Sequence, residues 1–576
     1  MKNEVFLVTT ALKEFFGNSN KRIALGEWCK VDENEIFIET LPYIWDTADK
    51  TNDAATYSWQ IYDLVLKDLV EKLNSYHNVN QDKRYWEIII GNWLYTFIQS
   101  VYDRYCSIKQ AIDLIEDFNT IVLSKKSFIT PVEYGDFINK VCSDEYNLQL
   151  YSQIFSFFGF KFQELEFNTK QKLKYSHKRS FEKNIFFKAI NLFSYKPKIT
   201  ITSPYFDGGL KSYLKVFFKS KGKLIYDDFD DSFDFEFEIN KSARKKLFDD
   251  YINEDRFVSL LYKLFEVNFP ILFFEGYKPF SSFVNGIKKN NSKLFATANA
   301  LHNNYTYKFY LAAKYKKTNI ISIQHGGGYG VEKISSPEIY ERNIVDCFFN
   351  FGWHSDDKTI ISTHEKLNKE IISNKNGDII YVSTQLPRYI YRLQTKYNSS
   401  LMRNIYLKKN ISFFEHIKNI DKFLYRPYMN DYGFKITENI LKNIKELKIE
   451  TKRLALEKRL NNSKLIVLDH FDTIILEVLA QSYPTVIYID KDIHSFRKPE
   501  IISLLEDAKI LFYDEVAAAK HINNINEDID SWWLSPKVQK AREKFCYYYA
   551  RTIKYWAEEW IQEFNNILEE NARNNS

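Results

Sequence analysis

The sequence predicts an α/β protein built from two Rossmann-like domains. The chain has 576 residues, more than one hydrophobic core usually supports. Short apolar runs typical of strands alternate with helical patterns twice along the chain, as expected for two parallel sheets covered by helices on both faces. A helical insertion in the N-terminal half and a long C-terminal helical tail complete the predicted architecture.

The N-terminal part begins with two short apolar runs and then becomes helical. Residues 5–9 and 22–25 are rich in β-forming side chains, and the second run ends at Gly26. From about residue 53 to residue 117, large apolar side chains recur at spacings of three and four, which predicts amphipathic helices. These side chains include Trp86, Ile89, Trp93, Phe97, Val101 and Tyr105.

The first alternating set of strands also lies in the N-terminal half. Helical patterns separate several of the strand-like runs, and residues 305–318 form one of them. The runs themselves are residues 199–204, 223–229, 294–299 and 319–324. Strands that alternate with helices predict a parallel sheet.

A second alternating set follows the polar stretch 355–377. Residues 413–420 and 473–481 show helical patterns, and a further helix is expected to begin after Asp514. The strand-like runs are residues 378–384, 423–428, 464–470, 485–490 and 508–514. We therefore expect domains at residues 1–365 and 366–530.

Residues 531–576 are predicted to form an amphipathic helical tail. The tryptophans in and beside its apolar face are Trp532, Trp533, Trp556 and Trp560. We interpret them as packing across the two domains. A platform for a sugar ring is the alternative.

Composition excludes several classes of protein. The net charge of +5 is too mild for the concentrated basic face of a nucleic-acid binder, so no nucleic-acid partner is expected. The five cysteines are scattered without a C-x-x-C pair, which argues against a disulfide framework and a zinc site. No window approaches the ~20 apolar residues of a membrane span, and the N-terminus lacks the pattern of a secretory signal. A cytoplasmic protein is expected.

One stretch, residues 174–198, is rich in basic and aromatic side chains and is a candidate for contact with a membrane surface. Peripheral attachment at the inner membrane face is one interpretation of this pattern. A solvated amphipathic helix is the interpretation that we favour, because such faces are common. The oligomeric state cannot be deduced from the sequence.

The sharpest chemical signal is the turn Gln324-His325-Gly326-Gly327, which directly follows a predicted strand. Glycines at the carboxyl end of a strand let the backbone approach a ligand and direct N–H groups at an anion. Ligands of open α/β sheets bind at this edge, and His325 can bind a phosphate or act as an acid or base. A tight turn with an incidental histidine is the alternative. The pattern matches neither the P-loop nor the dinucleotide fingerprint.

A second candidate site is the start of the helix that follows residues 464–470. His470, Asp472 and Thr473 lie where backbone amides at the positive end of the helix bind phosphate readily. Glu477, one turn further, is positioned to reach a ribose hydroxyl. The alternative is that Asp472 or Thr473 only caps the helix.

Two arginines near strand ends form a third candidate group. Arg426 ends one predicted strand close to Asp431, and Arg388 follows another. A guanidinium group suits bidentate capture of phosphate or carboxylate. A structural pair of Arg426 with Asp431 is the alternative.

The N-terminal half offers Glu27 as a candidate catalytic base, because a carboxylate at a strand end faces the cleft. A surface glutamate is the alternative. Weaker candidates for the same cleft are Tyr205, Asp207, Gly208, Gly209, Asn299, His302, Trp353 and His354. No H-x-x-x-H, D-x-D or carboxylate cluster requires a metal, so no metal is expected.

An ordered set of segments resembles a known family. The set consists of LGEWC (25–29), YWEIIIGNWL (85–94), SIQHGGGYG (322–330), FGWH (351–354), RPYMNDYG (426–433), LEVLAQSYPTV (476–486), DIDSWW (528–533) and VQKAREKF (538–545). Together these segments resemble a family of bacterial transferases whose genes occur among those for surface polysaccharides and nonulosonic acids. The resemblance covers almost the whole chain, to about Trp560.

The resemblance implies a GT-B-like glycosyltransferase without a metal requirement, with the acceptor side in residues 1–365 and the nucleotide-sugar site in residues 366–530. The Gln-His-Gly turn is also similar to one in capsule Kdo transferases and glycerophosphotransferases, which use CMP- or CDP-linked donors. This similarity implies CMP-activated Kdo or a sialic-acid-like ulosonic acid as donor, and a surface glycan or glycoprotein as acceptor. The His-Pro pair of Kdo and sialyl transferases is absent, and His470-Phe471 stands in its place.

The expected chemistry is direct glycosyl transfer, with a nucleotide sugar as co-substrate and no other cofactor. We expect His325, Arg426 and the amides near Asp472 and Thr473 to hold the leaving phosphate. Glu27 is expected to deprotonate the acceptor hydroxyl. Two alternatives remain, a phosphotransferase that uses a CDP-linked donor and a carbohydrate-binding scaffold without turnover.

Overall fold

The computed structural model describes residues 5–31, 36–167, 171, 173–249 and 251–574. Within this part of the chain, two six-stranded parallel sheets dominate the structure. A smaller four-stranded parallel sheet and two two-stranded ribbons accompany them. The predicted α/β class with two Rossmann-like domains is thereby confirmed.

The N-terminal region forms a small sheet of its own beside two long helices. Its four strands pair in parallel in the order β3-β2-β1-β4. The strands of this region are β1 (Val5–Val8), β2 (Arg22–Ala24), β3 (Glu39–Thr40), β4 (Phe118–Asn119), β5 (Ile121–Leu123) and β6 (Gln163–Leu165). The helices are α1 (Ala48–His77), α2 (Lys83–Leu114), α3 (Tyr134–Val141) and α4 (Asp144–Phe157).

The predicted helical insertion therefore consists of α1 and α2. Thr47 caps α1 by accepting from the Lys50 N–H, and Asp82 caps α2 by accepting from the Tyr85 N–H. The predicted domain 1–365 needs one correction, because it contains two parallel sheets. Its first strands pair with one another and with β4, and none of them joins the larger sheet that follows.

The first large sheet has the strand order β14-β13-β12-β11-β8-β9, and all its strands are parallel. The strands from here on are β7 (Lys174–His177), β8 (Ile199–Thr202), β9 (Leu224–Tyr226), β10 (Phe233–Glu236), β11 (Leu294–Thr297), β12 (Asn319–Ile323), β13 (Cys347–Asn350) and β14 (Thr359–Ile361). Strands β7 and β10 form an antiparallel ribbon outside the sheet. The strand order reverses between β8 and β11, so a ligand crevice is expected at their carboxyl ends.

Helices cover this sheet and connect its strands. They are α5 (Phe181–Asn191), α6 (Leu210–Lys219), α7 (Lys241–Phe248), α8 (Arg256–Asn268), α9 (Tyr277–Gly286), α10 (Ala300–Asn303), α11 (Tyr305–Lys314) and α12 (Ser336–Ile344).

The second large sheet is also wholly parallel, in the order β17-β16-β15-β18-β19-β20. Its strands are β15 (Asp378–Val382), β16 (Phe423–Arg426), β17 (Lys448–Ile449), β18 (Ser463–Leu468), β19 (Thr485–Tyr488) and β20 (Leu511–Phe512). The order reverses between β15 and β18, which places the second crevice beside the residues that follow Val382 and Leu468.

The helices of the second domain are α13 (Leu407–Glu415), α14 (Ile436–Asn443), α15 (Leu456–Leu460), α16 (Thr473–Ala480), α17 (Pro499–Asp507), α18 (Glu515–Ile525) and α19 (Ile529–Trp533). The helix predicted at residues 413–420 corresponds to α13, which begins earlier, at Leu407. A π-helical turn at residues 402–406 leads directly into it.

The C-terminal segment contacts both large domains through two helices, α20 (Pro536–Tyr549) and α21 (Trp556–Asn574). Helix α20 packs on α16 and α17, and α21 packs on α6. The chain changes direction between them where the Arg551 N–H donates to the Phe351 carbonyl. Trp560 is fully buried and donates from Nε1 to the Thr363 carbonyl. None of the described helices is long and apolar enough to cross a membrane.

Candidate functional site

A cavity of about 340 Å³ lies between the two large sheets, at their carboxyl edges. One wall is the turn after β12, which contains His325 and Gly327. The opposite wall contains Arg392, Lys396 and Asp472. The cavity therefore lies between the two crevices that the strand orders predict.

The two segments singled out in the sequence meet in this cavity. The Gly327 N–H donates to Thr473 Oγ1 at 2.9 Å. A Cβ atom on Gly327 would stand only 2.3 Å from the Thr473 backbone nitrogen, so this approach requires glycine. The glycine-rich turn of one domain and the helix start of the other thus form one site.

His325 lies in the first wall as a neutral imidazole. Burial lowers the pKa of His325 to about 4, although the Glu341 carboxylate acts in the opposite direction. Its Nδ1 atom is buried, has no hydrogen-bond partner within the described residues and lies 4.0 Å from Glu341 Oε1. The imidazole ring packs against Tyr205, His302 and Tyr329.

Glu341, on α12, is a fully buried carboxylate that anchors this cluster. It accepts hydrogen bonds from His302 Nε2 at 2.6 Å, from the Tyr329 hydroxyl at 2.5 Å and from the Ser322 hydroxyl. Burial opposes its ionisation, but His325, His302 and Ser322 outweigh that effect and hold the pKa of Glu341 below its usual range. Sequence reasoning missed Glu341, because its role depends on packing alone.

Two cationic side chains on the second wall were also missed. Arg392 donates from one terminal nitrogen to the Tyr391 hydroxyl at 3.2 Å, and its Nε is buried without a partner in the described chain. Lys396 Nζ lies 3.0 Å from Glu332 and 3.4 Å from Asp472. Burial favours the neutral amine, but Asp472 and Glu332 hold the pKa of Lys396 above its usual value. This wall is suited to an anionic ligand.

Asp472 caps helix α16, and its carboxylate accepts from the Thr473 N–H at 2.8 Å. Burial opposes its ionisation, but Lys396 and His470 hold its pKa below the usual range. The Thr473 amide, predicted to bind a phosphate, is therefore occupied by the cap. Asp472 lines the cavity, and Thr473 joins its two walls.

Gln324, predicted to bind the donor, is fully buried and does not line the cavity. Its amide oxygen accepts from the Phe351 N–H at 3.1 Å and from Trp353 Nε1 at 2.9 Å. Its amide nitrogen donates to the Gly326 carbonyl at 3.0 Å. Gln324 thus braces the turn from behind, whereas Gly326 itself lines the cavity.

Arg388 is engaged in a structural contact away from the cavity. Its guanidinium pairs with Asp144 on α4 and donates to the Trp28 carbonyl at 2.7 Å. This contact links the N-terminal sheet to the second large domain. The structure thus gives Arg388 a structural pair in place of the predicted contact with a donor.

Arg426 and Asp431 need the same correction. Arg426 is buried and pairs with Glu450 at 2.7 Å, and it also donates to the Leu454 carbonyl. Asp431 is exposed and accepts from the Gly433 N–H at 2.7 Å in a local turn. Neither residue lines the cavity, because Arg426 is held by Glu450 and Asp431 by its own turn.

Glu27 also lies outside the cavity, so its assignment as catalytic base is corrected. It sits in a short 3₁₀ turn and pairs with Lys30 at 3.1 Å and with Arg403 at 3.8 Å. Its own N–H donates to the Ser400 hydroxyl. The early strand ends in the small N-terminal sheet, which explains why Glu27 faces these loops.

His470 follows β18 and precedes the helix cap Asp472 by two residues. Its Nδ1 lies 2.8 Å from a carboxylate oxygen of Asp469, which is fully buried. Asp469 also accepts from the hydroxyls of Tyr381 and Tyr406. This network fixes the end of β18 at the second crevice.

Glu477 marks a second chemically distinct position, one turn into α16. Burial raises the pKa of Glu477 to about 7, while Lys366 and Lys369 act in the opposite direction. Lys366 Nζ lies 4.5 Å from the ring centre of Tyr205, which in turn contacts the His325 ring. Glu477 is therefore a proton donor or acceptor near neutral pH on the same side of the cleft.

Only some of the weaker candidates lie close to His325 in the structure. Tyr205 and His302 reach the His325 ring, and Asp207 pairs with Lys369 at 2.9 Å. Trp353 is buried beneath the turn, whereas His354 is exposed. The remaining three lie on loops after β8 and β11, and they are Gly208, Gly209 and Asn299.

One group of described residues, His302, His325 and Glu341, has the ligand types of a metal site. Their ligand atoms lie within 4.8 Å of one another. The Glu341 oxygens already accept three hydrogen bonds. The geometry is thus that of a hydrogen-bonded cluster around a carboxylate.

Residues 5–564 match a family of proteins described as LIC12162 family transferases. No curated protein matches the sequence significantly. Among solved structures, TarM is 11% identical with a TM-score of 0.33, and the match covers 50% of this chain and 57% of the TarM chain.

Two sugar-nucleotide epimerases show similarities of the same order. A protein of Listeria monocytogenes described as a UDP-N-acetylglucosamine 2-epimerase is 10% identical with a TM-score of 0.35, covering 63% of this chain and 94% of that one. The UDP-GlcNAc 2-epimerase of Neisseria meningitidis, bound to UDP-GlcNAc, is 10% identical with a TM-score of 0.32, covering 60% and 97%. The family match covers nearly the whole chain, whereas these structures match parts of it.

Proposed function

Because this chain belongs to the LIC12162 family of transferases, we propose that it transfers a sugar from a nucleotide-activated donor to an acceptor hydroxyl. The predicted enzyme class, a transferase, is confirmed by the family. The observation that supports sugar transfer is the cavity in which neutral His325 faces Arg392 and Lys396. A neutral base and two cations are the groups that such a transfer requires.

The donor in this proposal is a CMP-activated ulosonic acid, such as Kdo or a sialic-acid-like sugar. This donor carries two anionic groups, the phosphate and the sugar carboxylate. Arg392 offers a planar donor group whose Nε has no partner in the described chain, and Lys396 offers a compact point charge. Arg392 supports binding of one of these anions directly, and Lys396 lies on the same wall in a pair with Glu332 and Asp472.

In the mechanism that we propose, His325 accepts the proton of the acceptor hydroxyl. The acceptor oxygen forms a bond to the anomeric carbon while the bond from that carbon to the phosphate oxygen breaks. Glu341, 4.0 Å from His325 Nδ1, stabilises the imidazolium that forms. Arg392 and Lys396 stabilise the charge on the leaving CMP phosphate. No step in this scheme uses a metal.

The acceptor in this proposal is a surface glycan or a glycoprotein, entering beside Tyr205. Lys366 and Glu477 line this approach, and the pKa of Glu477 is raised to about 7 by burial. A carboxyl group that is partly protonated can hydrogen-bond a sugar hydroxyl as donor or acceptor.

The first test is a thermal-shift panel with CMP, CDP, UDP, GDP and ADP, each with Mg²⁺ or EDTA. We expect CMP to raise the melting temperature in both conditions, because a bound ligand stabilises the folded state. Arg392→Ala should abolish the shift, and Lys452→Ala, an exposed lysine of the same domain, should retain it. A shift with UDP or GDP alone would replace the proposed donor.

The second test is product analysis with CMP-Kdo and CMP-sialic acid in the presence of glycan acceptors. Release of CMP together with a sialylated or Kdo-bearing acceptor is the expected result. Transfer of a phosphate-containing unit from a CDP-linked donor would identify a phosphotransferase. Binding of CMP with neither transfer nor donor hydrolysis would indicate a carbohydrate-binding scaffold.

A further inference from the structure

The first large domain carries a surface rich in lysine and exposed aromatic side chains. It consists of α6 together with the loops 192–198 and 220–223, and we call it the lysine-aromatic face. Between residues 185 and 223 the chain has eight lysines and a single acidic residue, Asp207, which lies at the cleft. This charge is much more concentrated than the +5 of the whole chain.

Four large apolar side chains project from this face into solvent. Leu192 is 83% exposed, Phe193 77%, Tyr195 70% and Phe218 69%. Single exposed apolar residues are ordinary, but a contiguous group of them marks an interaction site. The loop that carries Leu192, Phe193 and Tyr195 is adjacent to the turn that follows Phe218 and α6, because the Tyr195 N–H donates to the Gly222 carbonyl at 2.7 Å.

Helix α6 continues the same pattern. Its buried side consists of Ser212, Val216 and Phe217, which face the sheet. Phe218 is exposed on the opposite side, and Leu210 is exposed at the first residue of the helix. A helix of this kind, with apolar and basic residues on its outer surface, is typical of a segment that lies on a membrane.

Most lysines of the face are available for an external partner. Lys196, Lys198, Lys221 and Lys223 are exposed, and none has an ion pair within the described residues. Lys219 is the exception, because it pairs with Glu558 on α21 at 2.7 Å. Lys196 and Lys198 share a loop with three of the exposed apolar side chains, and Lys221 and Lys223 lie on the adjacent loop.

The face lies mainly at the amino edge of the first large sheet, because the loops 192–198 and 220–223 lead into β8 and β9. Helix α6 begins directly after Gly209 at the carboxyl edge of the sheet, where the Gly208 N–H donates to Glu365, and it ends at the amino edge. Tyr205, which contacts the His325 ring, lies just before that start. A surface bound to the four exposed apolar side chains would therefore lie at the end of this domain opposite the cavity.

We propose that the lysine-aromatic face docks the protein on an anionic lipid surface. The apolar side chains enter the headgroup region while the lysines contact anionic headgroups. Nucleic acid is disfavoured as partner, because four protruding apolar side chains gain little from a phosphate backbone. A second copy of the chain is disfavoured too, because two such faces would bring like charges together. This docking does not depend on the sugar transfer proposed above.

The test is sedimentation of the full chain with vesicles of phosphatidylethanolamine and phosphatidylglycerol, or of phosphatidylcholine alone. We expect at least ~10-fold stronger binding to the anionic vesicles, and loss of that preference in high salt. The double variant Phe193→Ser, Phe218→Ser should weaken binding by ~10-fold or more. Ile252→Ser with Met429→Ser, two residues 92% and 70% exposed elsewhere, is the matched control.

Equal binding by the double variant and its control would overturn the proposal, as would equal binding to both kinds of vesicle. Light scattering that shows a dimer of wild type but not of the double variant would assign the face to a second copy. Preferential binding of a nucleic-acid oligomer would overturn it as well. A melting temperature close to that of wild type confirms that the variants fold. Retained sugar transfer to a free saccharide in the double variant would show that lipid docking and the proposed sugar transfer are independent.

Discussion

His302 Nε2 donates to Glu341 Oε1 at 2.6 Å, and the same carboxylate oxygen lies 4.0 Å from His325 Nδ1. One buried carboxylate thus contacts two histidines from different segments, α10 and the turn after β12. Because His302 is hydrogen-bonded and His325 Nδ1 is not, the carboxylate holds a fixed position behind the histidine that faces the cavity. The first two predictions follow from this arrangement.

Glu341→Gln is expected to lower turnover by ~10²-fold or more, because the imidazolium of His325 loses its stabilising charge. The Glu341 carboxylate also raises the pKa of His325, so the acid limb of the kcat/KM profile should move to lower pH. Steady-state kinetics between about pH 3 and pH 8 check both effects. A uniform loss of activity with an unmoved acid limb would assign Glu341 a structural role only.

His325→Ala is expected to lower turnover by at least ~10²-fold while the CMP-induced thermal shift persists, because the nucleotide contacts lie on the other wall. In the wild type, His325 is neutral above its pKa of about 4. Activity limited by this base should therefore decline only as the pH falls toward 4. Near-normal turnover in the variant would remove His325 from the mechanism.

The sequence identifies the parts of this site that depend on backbone position. Gly327 and Thr473 each follow a strand with a strong apolar pattern, and strand ends meet at one edge of a parallel sheet, so their proximity is predictable. Arg388 and Arg392 lie on one irregular loop, and no periodic pattern distinguishes the arginine that binds Asp144 from the one that lines the cavity. Glu341 is equally invisible, because its burial depends on how α12 packs.

Stability is expected to fall as the pH drops from about 6.5 to about 4, because buried histidines bind protons only in the unfolded chain over that range. Burial lowers the pKa of five histidines to about 4, and they are His77, His325, His364, His494 and His521. His521 packs against the rings of Phe512 and Trp532. His521→Phe should keep this packing and reduce the pH dependence of unfolding in guanidinium. An unchanged slope would show that His521 does not contribute.

Arg426→Ala is expected to destabilise the protein without a specific effect on donor binding. Arg426 pairs with the buried Glu450, and removing one partner of a buried pair costs about 3 kcal/mol. Glu450 keeps its contact with Arg459 at 2.9 Å, so folding should survive. Denaturant unfolding together with the KM of the donor checks this prediction. A large increase in the KM of the donor at unchanged stability would indicate instead that Arg426 binds the donor.

Gly327→Ala and Gly326→Ala form a matched pair that tests whether the contact between domains assembles the site. A Cβ on Gly327 would stand 2.3 Å from the Thr473 backbone nitrogen, whereas one on Gly326 would meet only the Tyr329 ring at 3.5 Å. Backbone atoms cannot yield as a side chain can, so the first change must separate the turn from α16. We expect Gly327→Ala to lower turnover by ~10-fold or more, because a small misplacement of reacting groups is costly. Gly326→Ala should remain within ~3-fold of wild type on the same reasoning. Equal turnover of the two variants in the transfer assay would mean that catalysis does not require the contact between Gly327 and Thr473.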